Sequence, residues 1–392
     1  MVKWLKRILL GLGSLILLGL GLFLWLAPAY VDDAFNSPLD HAPYAVSAEA
    51  AEVFDSLPGV ADLHADALLW KRDLSRENRR GQLDIPRLAS GKVGLQVFGV
   101  VTKSPRGQNY EANSADTDNI TLLSMAQLWP PRTWFSLKER ALYQSQKLQR
   151  FADGSGGALV FVRGRQALDT VVAPRAARQS VTAGFLGLEG AHALEGELAN
   201  LDALYEAGFR MFGLAHFFDN AVAGSVHGLE KYGLTELGRQ VVQRAQALGI
   251  ILDLAHASHA AIADTLALAS QPLVFSHGGV KGVCNTNRNL TDDEIRGIAE
   301  TGGLIGLGAW DAAACGTTPA GLAKAMAYVK ALVGPEHVAL GTDFDGAVKS
   351  SYGVTEYDAV VDALLKEGFS AAEVEAAMIG NALRVFNAVL PD

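Results

Sequence analysis

From Gly59 onward, short uninterrupted apolar runs alternate with stretches whose apolar residues recur every three or four positions. Eight runs predict strands, over residues 60–64, 93–100, 184–189, 210–215, 250–255, 273–277, 303–308 and 338–343. Strands this apolar, with no polar alternation, belong to a parallel sheet buried on both faces. Between them, Thr235–Leu248 carries Leu237, Val241, Val242, Ala245 and Leu248 at helical spacing. Thr291-Asp292-Asp293-Glu294 reads as a capping box that opens a helix over Glu294–Glu300, which Gly302-Gly303 ends. Pro319–Val333 and Ser370–Ile379 are further helices. Eight strands alternating with helices predict an α/β fold, a (β/α)₈ TIM-like barrel.

A different pattern precedes the barrel. Lys3, Lys6 and Arg7 are followed by an uncharged apolar stretch, Ile8–Ala27, with no polar face. Roughly 20 apolar residues span a bilayer, whereas a secretory apolar region runs about 7–15. Residues 1–29 therefore read as an amino-terminal transmembrane signal anchor. The alternative is a cleaved signal peptide, because Ala27-Pro28-Ala29 has the small-x-small pattern. Positive charge before the stretch and Asp32, Asp33 and Asp40 after it place the bulk of the chain outside the cytoplasm, periplasmic or extracellular. Residues 30–58, punctuated by Pro38, Pro43 and Pro58, read as a linker and lead-in, and residues 59–392 as the barrel.

One connection, about residues 101–183, is long enough to be an insertion. It holds an amphipathic stretch, Ser136–Phe151, an extra strand-like run, Leu159–Val162, and the segment Trp129–Trp134. Such insertions form lids, substrate walls or packing elaborations. A net charge of −9 without a Lys/Arg stripe argues against a nucleic-acid partner. Cys284 and Cys315, the only cysteines, lie in no CxxC or Cys/His cluster, which excludes thiolate metal ligation; both a single bridge and two free thiols are compatible with the sequence.

The candidate chemistry sits where the predicted strands end. His64 and Asp66 follow the first, Glu189 the third, His216 the fourth, His256 the fifth, His277 the sixth and Asp343 the last. In a barrel of parallel strands these ends converge on one face, which carries the active site. His64 and Asp66, two apart, point to the same side. A lone strand-end His or Glu is ordinarily structural, but the set His64, Asp66, Glu189, His256 and His277 suffices for two divalent cations. His64 and Asp66 would hold one, His256 and His277 the other, and Glu189 both. Such a pair activates a bridging hydroxide. Asp343 is the candidate proton carrier, with Asp345 its rival; His216 is placed to stabilise an oxyanion. Arg288 is placed to pair with a substrate carboxylate, unless it pairs with Asp292 or Asp293 on the surface. Asn220 is a further polar pocket candidate. Asp253 reads as structural, and His41, His192, His227, His259 and His337 as non-ligands.

In order and as a set, these residues resemble the membrane (renal-type) dipeptidase family of binuclear zinc amidohydrolase-like enzymes. The matching text is Asp62-Leu63-His64-Ala65-Asp66, Gly187-Leu188-Glu189-Gly190, Leu214-Ala215-His216, Leu252-Asp253-Leu254-Ala255-His256, Phe275-Ser276-His277, Arg288-Asn289-Leu290-Thr291-Asp292 and Gly341-Thr342-Asp343-Phe344-Asp345-Gly346. The resemblance covers roughly residues 59–388 and implies a barrel with two Zn²⁺ per subunit, held as above. It implies substrate contacts at His216 and Arg288 and the proton shuttle at Asp343. It also implies a metal-dependent dipeptidase acting on short peptides, with a D-residue tolerated on the carboxyl side, and it is compatible with a homodimer. The chain departs from the family in Phe217-Phe218-Asp219-Asn220 after His216 and in the long insertion, both of which bear on substrate preference.

The expectation is a membrane-tethered zinc dipeptidase. A related hydrolase of another small amide, ester or lactone keeps the same metals. A non-catalytic binding protein is disfavoured by the complete ligand set.

Overall fold

The computed structural model describes residues 2–175 and 181–392. Among them are nine strands: β1 (Val60–Ala65), β2 (Val93–Val101), β3 (Leu159–Phe161), β4 (Thr182–Glu189), β5 (Phe209–Gly213), β6 (Ile251–Asp253), β7 (Val274–Phe275), β8 (Leu304–Leu307) and β9 (Val338–Leu340). Every pairing between them is parallel. The order β1–β2–β4–β5–β6–β7–β8–β9 closes through Asp62↔Leu340, giving an eight-stranded barrel. All eight predicted strands are present, and their uniform apolarity has the expected cause, burial on both faces.

Residues two apart share a face, so each strand divides its side chains between lumen and outer shell. Leu95 and Val97 of β2, Ala183 and Phe185 of β4, Met211, Ile251, Val274, Leu304 and Ala339 form the inner cluster. Phe98, Leu186, Phe212, Leu252 and Leu340 pack outward against the helices. Phe386, on the last helix (Asn381–Val389), meets Phe185 edge-on at 4.8 Å and joins the inner cluster. The predicted capping box forms, with the Thr291 side chain accepting from the Glu294 N–H at the start of the helix Asp292–Glu300.

The insertion is built rather than loose. Its run at residue 159 is strand β3, which pairs with the lower half of β4 while β5 takes the upper half. Ser136 caps the helix Leu137–Gly154. The buried Arg140 on that helix donates to the carbonyls of Thr102 and Thr133 at 2.7 Å each, to the Trp134 carbonyl at 2.6 Å and to Asp118 at 2.5 Å. One guanidinium thereby ties both ends of the segment between β2 and that helix. Cys284 and Cys315 form a disulfide across 31 residues.

The amino-terminal helix runs further than its apolar stretch, over Val2–Asn36. Residues 30–36, expected to open a linker, are helical and docked on the barrel. Buried Asp32 contacts Arg72 at 3.2 Å, and Arg72 contacts Asp345 at 2.7 Å, all three side chains nearly inaccessible. Asn36 donates to Asp32 at 2.9 Å and accepts from the Ala347 N–H at 3.1 Å. Buried charges persist only when paired like this. The end of the apolar helix is thus locked to the loop after β9.

Candidate metal centre at the barrel mouth

Glu189 is the last inward rung of β4, above Ala183, Phe185 and Gly187. One oxygen, Oε1, lies 3.6 Å from His64 Nε2, 3.0 Å from His256 Nε2 and 3.5 Å from His277 Nε2; the other, Oε2, lies 3.5 Å from His216 Nε2. His64 Nε2 is also 3.4 Å from Asp66 Oδ1 and 3.9 Å from Asp343 Oδ1. Donor atoms of three sets converge: His64 with Glu189 and His277, Glu189 with His216 and His256, and His64 with Asp66 and Asp343. Six of the sequence candidates therefore meet around a seventh, the buried carboxylate of Glu189.

Local geometry makes this possible. Gly99 of β2 faces Gly187 of β4 in register, directly under the cluster. A Cβ at Gly99 would come within 2.2 Å of Asp66 Oδ1 and 2.6 Å of His64 Nε2. His256 and Asp343 both hold positive φ, 63° and 57°. Such backbone costs about 1–3 kcal/mol per residue and persists where surroundings over-determine it. The surroundings are two matching clamps. Asp62 accepts from the His64 and Thr342 N–H groups at 3.3 and 3.0 Å and from the Thr342 hydroxyl at 2.6 Å, joining the ends of β1 and β9. Asp253 accepts from the Ala255 and Ser276 N–H groups at 3.0 and 2.9 Å and from the Ser276 hydroxyl at 2.6 Å, joining β6 and β7.

The second clamp also sets a tautomer. The Ser276 hydroxyl gives its proton to Asp253, so at 2.7 Å it accepts one from His277 Nδ1. His277 Nε2 is then a bare lone pair, and it faces His256 Nε2 at 2.9 Å. Carboxylate-oriented imidazoles of this kind are the usual metal ligands. Likewise, His216 Nδ1 faces the Lys103 carbonyl at 3.3 Å and must be the donor there. Its Nε2 accepts when the ring is neutral, so donation to an oxyanion requires the protonated ring.

The electrostatics call for cations. Asp66, Glu189 and Asp343 share the space with one guanidinium, Arg288. Burial, with Asp66 adding to it, drives Glu189 well above the ordinary carboxylate range, and burial does the same to Asp343. Burial opposes charge on His64, yet Asp66 and Glu189 outweigh it and push that imidazole up to about 10. Burial pushes His256 and His277 well down and His216 down to about 4. His64 Nε2, Asp66 Oδ1 and Glu189 Oε2 are buried without a hydrogen-bond partner. Orphaned nitrogen and carboxylate donors facing one space fit divalent ions with borderline or hard ligand preference, such as Zn²⁺.

The remaining candidates separate. Arg288 is buried; its Nη2 donates to the His277 carbonyl at 2.7 Å and its Nη1 has no partner. It pairs with neither Asp292 nor Asp293 and lines the cavity above the cluster. Asp345 is spent on Arg72 and on the Gln82 N–H at 2.8 Å, which leaves Asp343 as the carboxylate facing the cluster. Asn220 is not brought in. Its Nδ2 donates to the Leu214 carbonyl at 3.0 Å and its Oδ1 accepts from Val222 at 2.8 Å, so its amide is consumed within its own loop. His192 bonds Thr102 at 2.9 Å and stands outside the donor sets. Tyr110 and Trp310, absent from the candidates above, also line the cavity, and the ring of His227, expected to be a non-ligand, lies 5.3 Å from that of His256. Tyr110 and His227 end no apolar run; Trp310 follows the run 303–308, but an indole carries no metal-ligating or acid–base group to mark it.

A family profile described as membrane dipeptidase (peptidase family M19) matches residues 47–390. Solved structures share the fold. The probable dipeptidase PvdM from Pseudomonas aeruginosa superposes with a TM-score of 0.70 at 19% identity, covering 87% of this chain and 97% of that one. A metallo peptidase from Rhodobacter sphaeroides, liganded with a phosphinate mimic of the dipeptide L-Ala-D-Ala, gives 0.68 at 22%, covering 85% and 100%. An amidohydrolase from Pseudomonas aeruginosa gives 0.65 at 19%, covering 87% and 99%.

Gly99→Ala tests the packing of the cluster. The added methyl overlaps His64 and Asp66 rather than the core, so folding should persist while divalent-metal affinity falls about 10-fold or more, read by competition with a chromophoric chelator. Unchanged affinity would mean that these two side chains do not need the space Gly99 leaves.

Proposed function

The chain belongs to the membrane dipeptidase family, peptidase family M19, and from that premise we propose a membrane-tethered zinc dipeptidase that cleaves short peptides. The observation that carries this reading is the convergence of His64, Asp66, His256 and His277 on Glu189. His64 and Asp66 would hold one ion, His256 and His277 the other, with Glu189 shared. Bound divalent ions supply a water of lowered pKa and a Lewis acid for the carbonyl.

The protein's own residues do the rest. The unpaired Arg288 Nη1 is suited to a terminal carboxylate, since guanidinium and carboxylate match as a fork. That limits the substrate's length on the carboxyl side, as a dipeptidase requires. A D-residue at that position is consistent with the reading and decided only by assay. Asp343, 3.9 Å from His64 Nε2, accepts the proton of the attacking water and returns it to the leaving amine. His216 contacts the scissile group. Its Nε2 accepts a hydrogen bond when neutral and donates to the developing oxyanion only as the imidazolium.

The helix Lys3–Asn36 is long and apolar enough to cross a membrane. Retention of this anchor is supported by the unbroken helix through Ala27-Pro28-Ala29. Placement of the barrel outside the cytoplasm is supported by Lys3, Lys6 and Arg7 on the far side of the helix and by the Cys284–Cys315 disulfide, since such bonds persist in oxidising compartments. The intact mass of the membrane-extracted protein should include residues 2–29; a chain beginning at Tyr30 would replace the anchor with a cleaved signal.

The activity test uses the full chain, zinc-loaded, on L,L- and L,D-dipeptides and a tripeptide. Chelator-sensitive cleavage confined to dipeptides is expected. Asp343→Asn should retain metal and lose about 10²–10⁴-fold in kcat, the usual range for a positioned acid–base group. Cleavage of esters or lactones but not dipeptides would move the assignment to another hydrolase of the same metal chemistry. Full activity in Asp343→Asn would remove that residue from proton transfer.

A further inference from the structure

The cavity above the metal centre does not stop at the peptide-binding end. It encloses about 880 Å³ and continues between the amino-terminal helix and the insertion helix Asn119–Ala126. That volume lies near the top of the roughly 300–1,000 Å³ range of small-molecule sites and is generous for two residues. Its far walls are apolar: Phe23, Leu24, Ala27 and Val31 on one side, Leu123 and Ala126 on the other. Val31 packs against the Leu69, Trp70 and Ile120 cluster, so the anchor is part of the cavity wall.

The charges in the cavity are equally specific. Four carboxylates line it: Asp66, Glu189, Asp343 and Asp345. Asp66 and Glu189 are assigned to the cations, Asp343 beside them to proton transfer, and Asp345 is held by Arg72. Among the described residues, none is left to pair with the α-ammonium of a free dipeptide, whereas Arg288 is available for its carboxylate.

The position of the opening adds a third element. The stretch Ile8–Ala27 accounts for about 30 Å of bilayer at 1.5 Å per residue, so Phe23 and Leu24 sit near its outer boundary. Leu122, which lines the cavity, is 60% exposed, and Leu128 and Phe135, further along the insertion, are 65% and 83% exposed. Exposed leucine and aromatic side chains next to a spanning helix suit the lipid interface.

Resting on the membrane-tethered dipeptidase reading, we infer that the substrate is an N-acylated dipeptide with a free terminal carboxylate, entering from the bilayer surface. The carboxylate faces Arg288, the scissile amide lies over the metal centre, and the acyl chain occupies the channel between the anchor and Asn119–Ala126. Water adds across the amide, giving the N-acyl amino acid carboxylate and a free amino acid; no further reactant is needed.

The test compares Ala-Ala, N-acetyl-Ala-Ala and N-decanoyl-Ala-Ala, with L- and D-carboxyl residues, below micellar concentrations on the zinc-loaded full chain. The decanoyl substrate should exceed the acetyl one at least tenfold in kcat/KM. Ala126→Trp, which narrows the channel, should cut that ratio at least fivefold; if this variant does not fold, the wild-type series decides alone. Fastest cleavage of free Ala-Ala, with rates falling as the chain lengthens, would overturn the acyl-chain inference and leave the dipeptidase reading standing. Cleavage of none of the three would overturn both.

Discussion

Everything at the barrel mouth depends on one buried carboxylate. Glu189 faces four imidazole nitrogens between 3.0 and 3.6 Å. An unpaired carboxylate at that depth is costly, and neutral imidazoles do not supply the missing charge. The cluster therefore has two ways to balance: a proton taken up by His64 or by Glu189 itself, or cations held by its ligand set. The orphaned donor atoms and the cradle left by Gly99 favour the second. Asp62 and Asp253 repeat one clamp on two strand pairs, β1 with β9 and β6 with β7, that flank β8. Each ties the end of a ligand-bearing strand to a hydroxyl residue that directly precedes a site residue, Asp343 or His277. The positive φ of Asp343 and His256 is thereby held in place.

The second organising contact joins the amino-terminal helix to that same mouth. Asp32, Arg72 and Asp345 form a buried chain that ends two residues from Asp343. The helix that is long and apolar enough to cross a membrane is thus packed against the loop bearing the candidate proton carrier. Removing Arg72 would leave Asp345 buried without its ion-pair partner, a change that typically costs about 3–5 kcal/mol. The docking of the apolar helix and the integrity of the site share one set of side chains.

Much of this was legible in the sequence because two periodicities expose it. Strands buried on both faces are continuous apolar runs, and barrel topology gathers their carboxyl ends; that is why His64, Glu189, His256, His277 and Asp343 could be picked out at run ends. What escaped has equally physical causes. Asn220 has the right chemistry beside His216, but its local loop consumes the amide, and no spacing rule reports that. Asp253 was read as structural without its hydroxyl partner, since Ser276 lies on another strand. Residues 30–36 look like a linker by composition, yet a tertiary ion pair to Arg72 extends the helix through them. Tyr110 reaches the cavity from an insertion whose shape is set by Arg140 contacts with residues scattered from Thr102 to Trp134.

The central claim is that Glu189 is shared by two metal ions. Anomalous diffraction from crystals of the zinc-loaded protein, collected across the zinc edge, addresses it directly. The account predicts two peaks, each about 2.0–2.2 Å from a Glu189 oxygen, one beside His64 and Asp66 and the other beside His256 and His277. A single peak, or a pair in which only one touches Glu189, would contradict it.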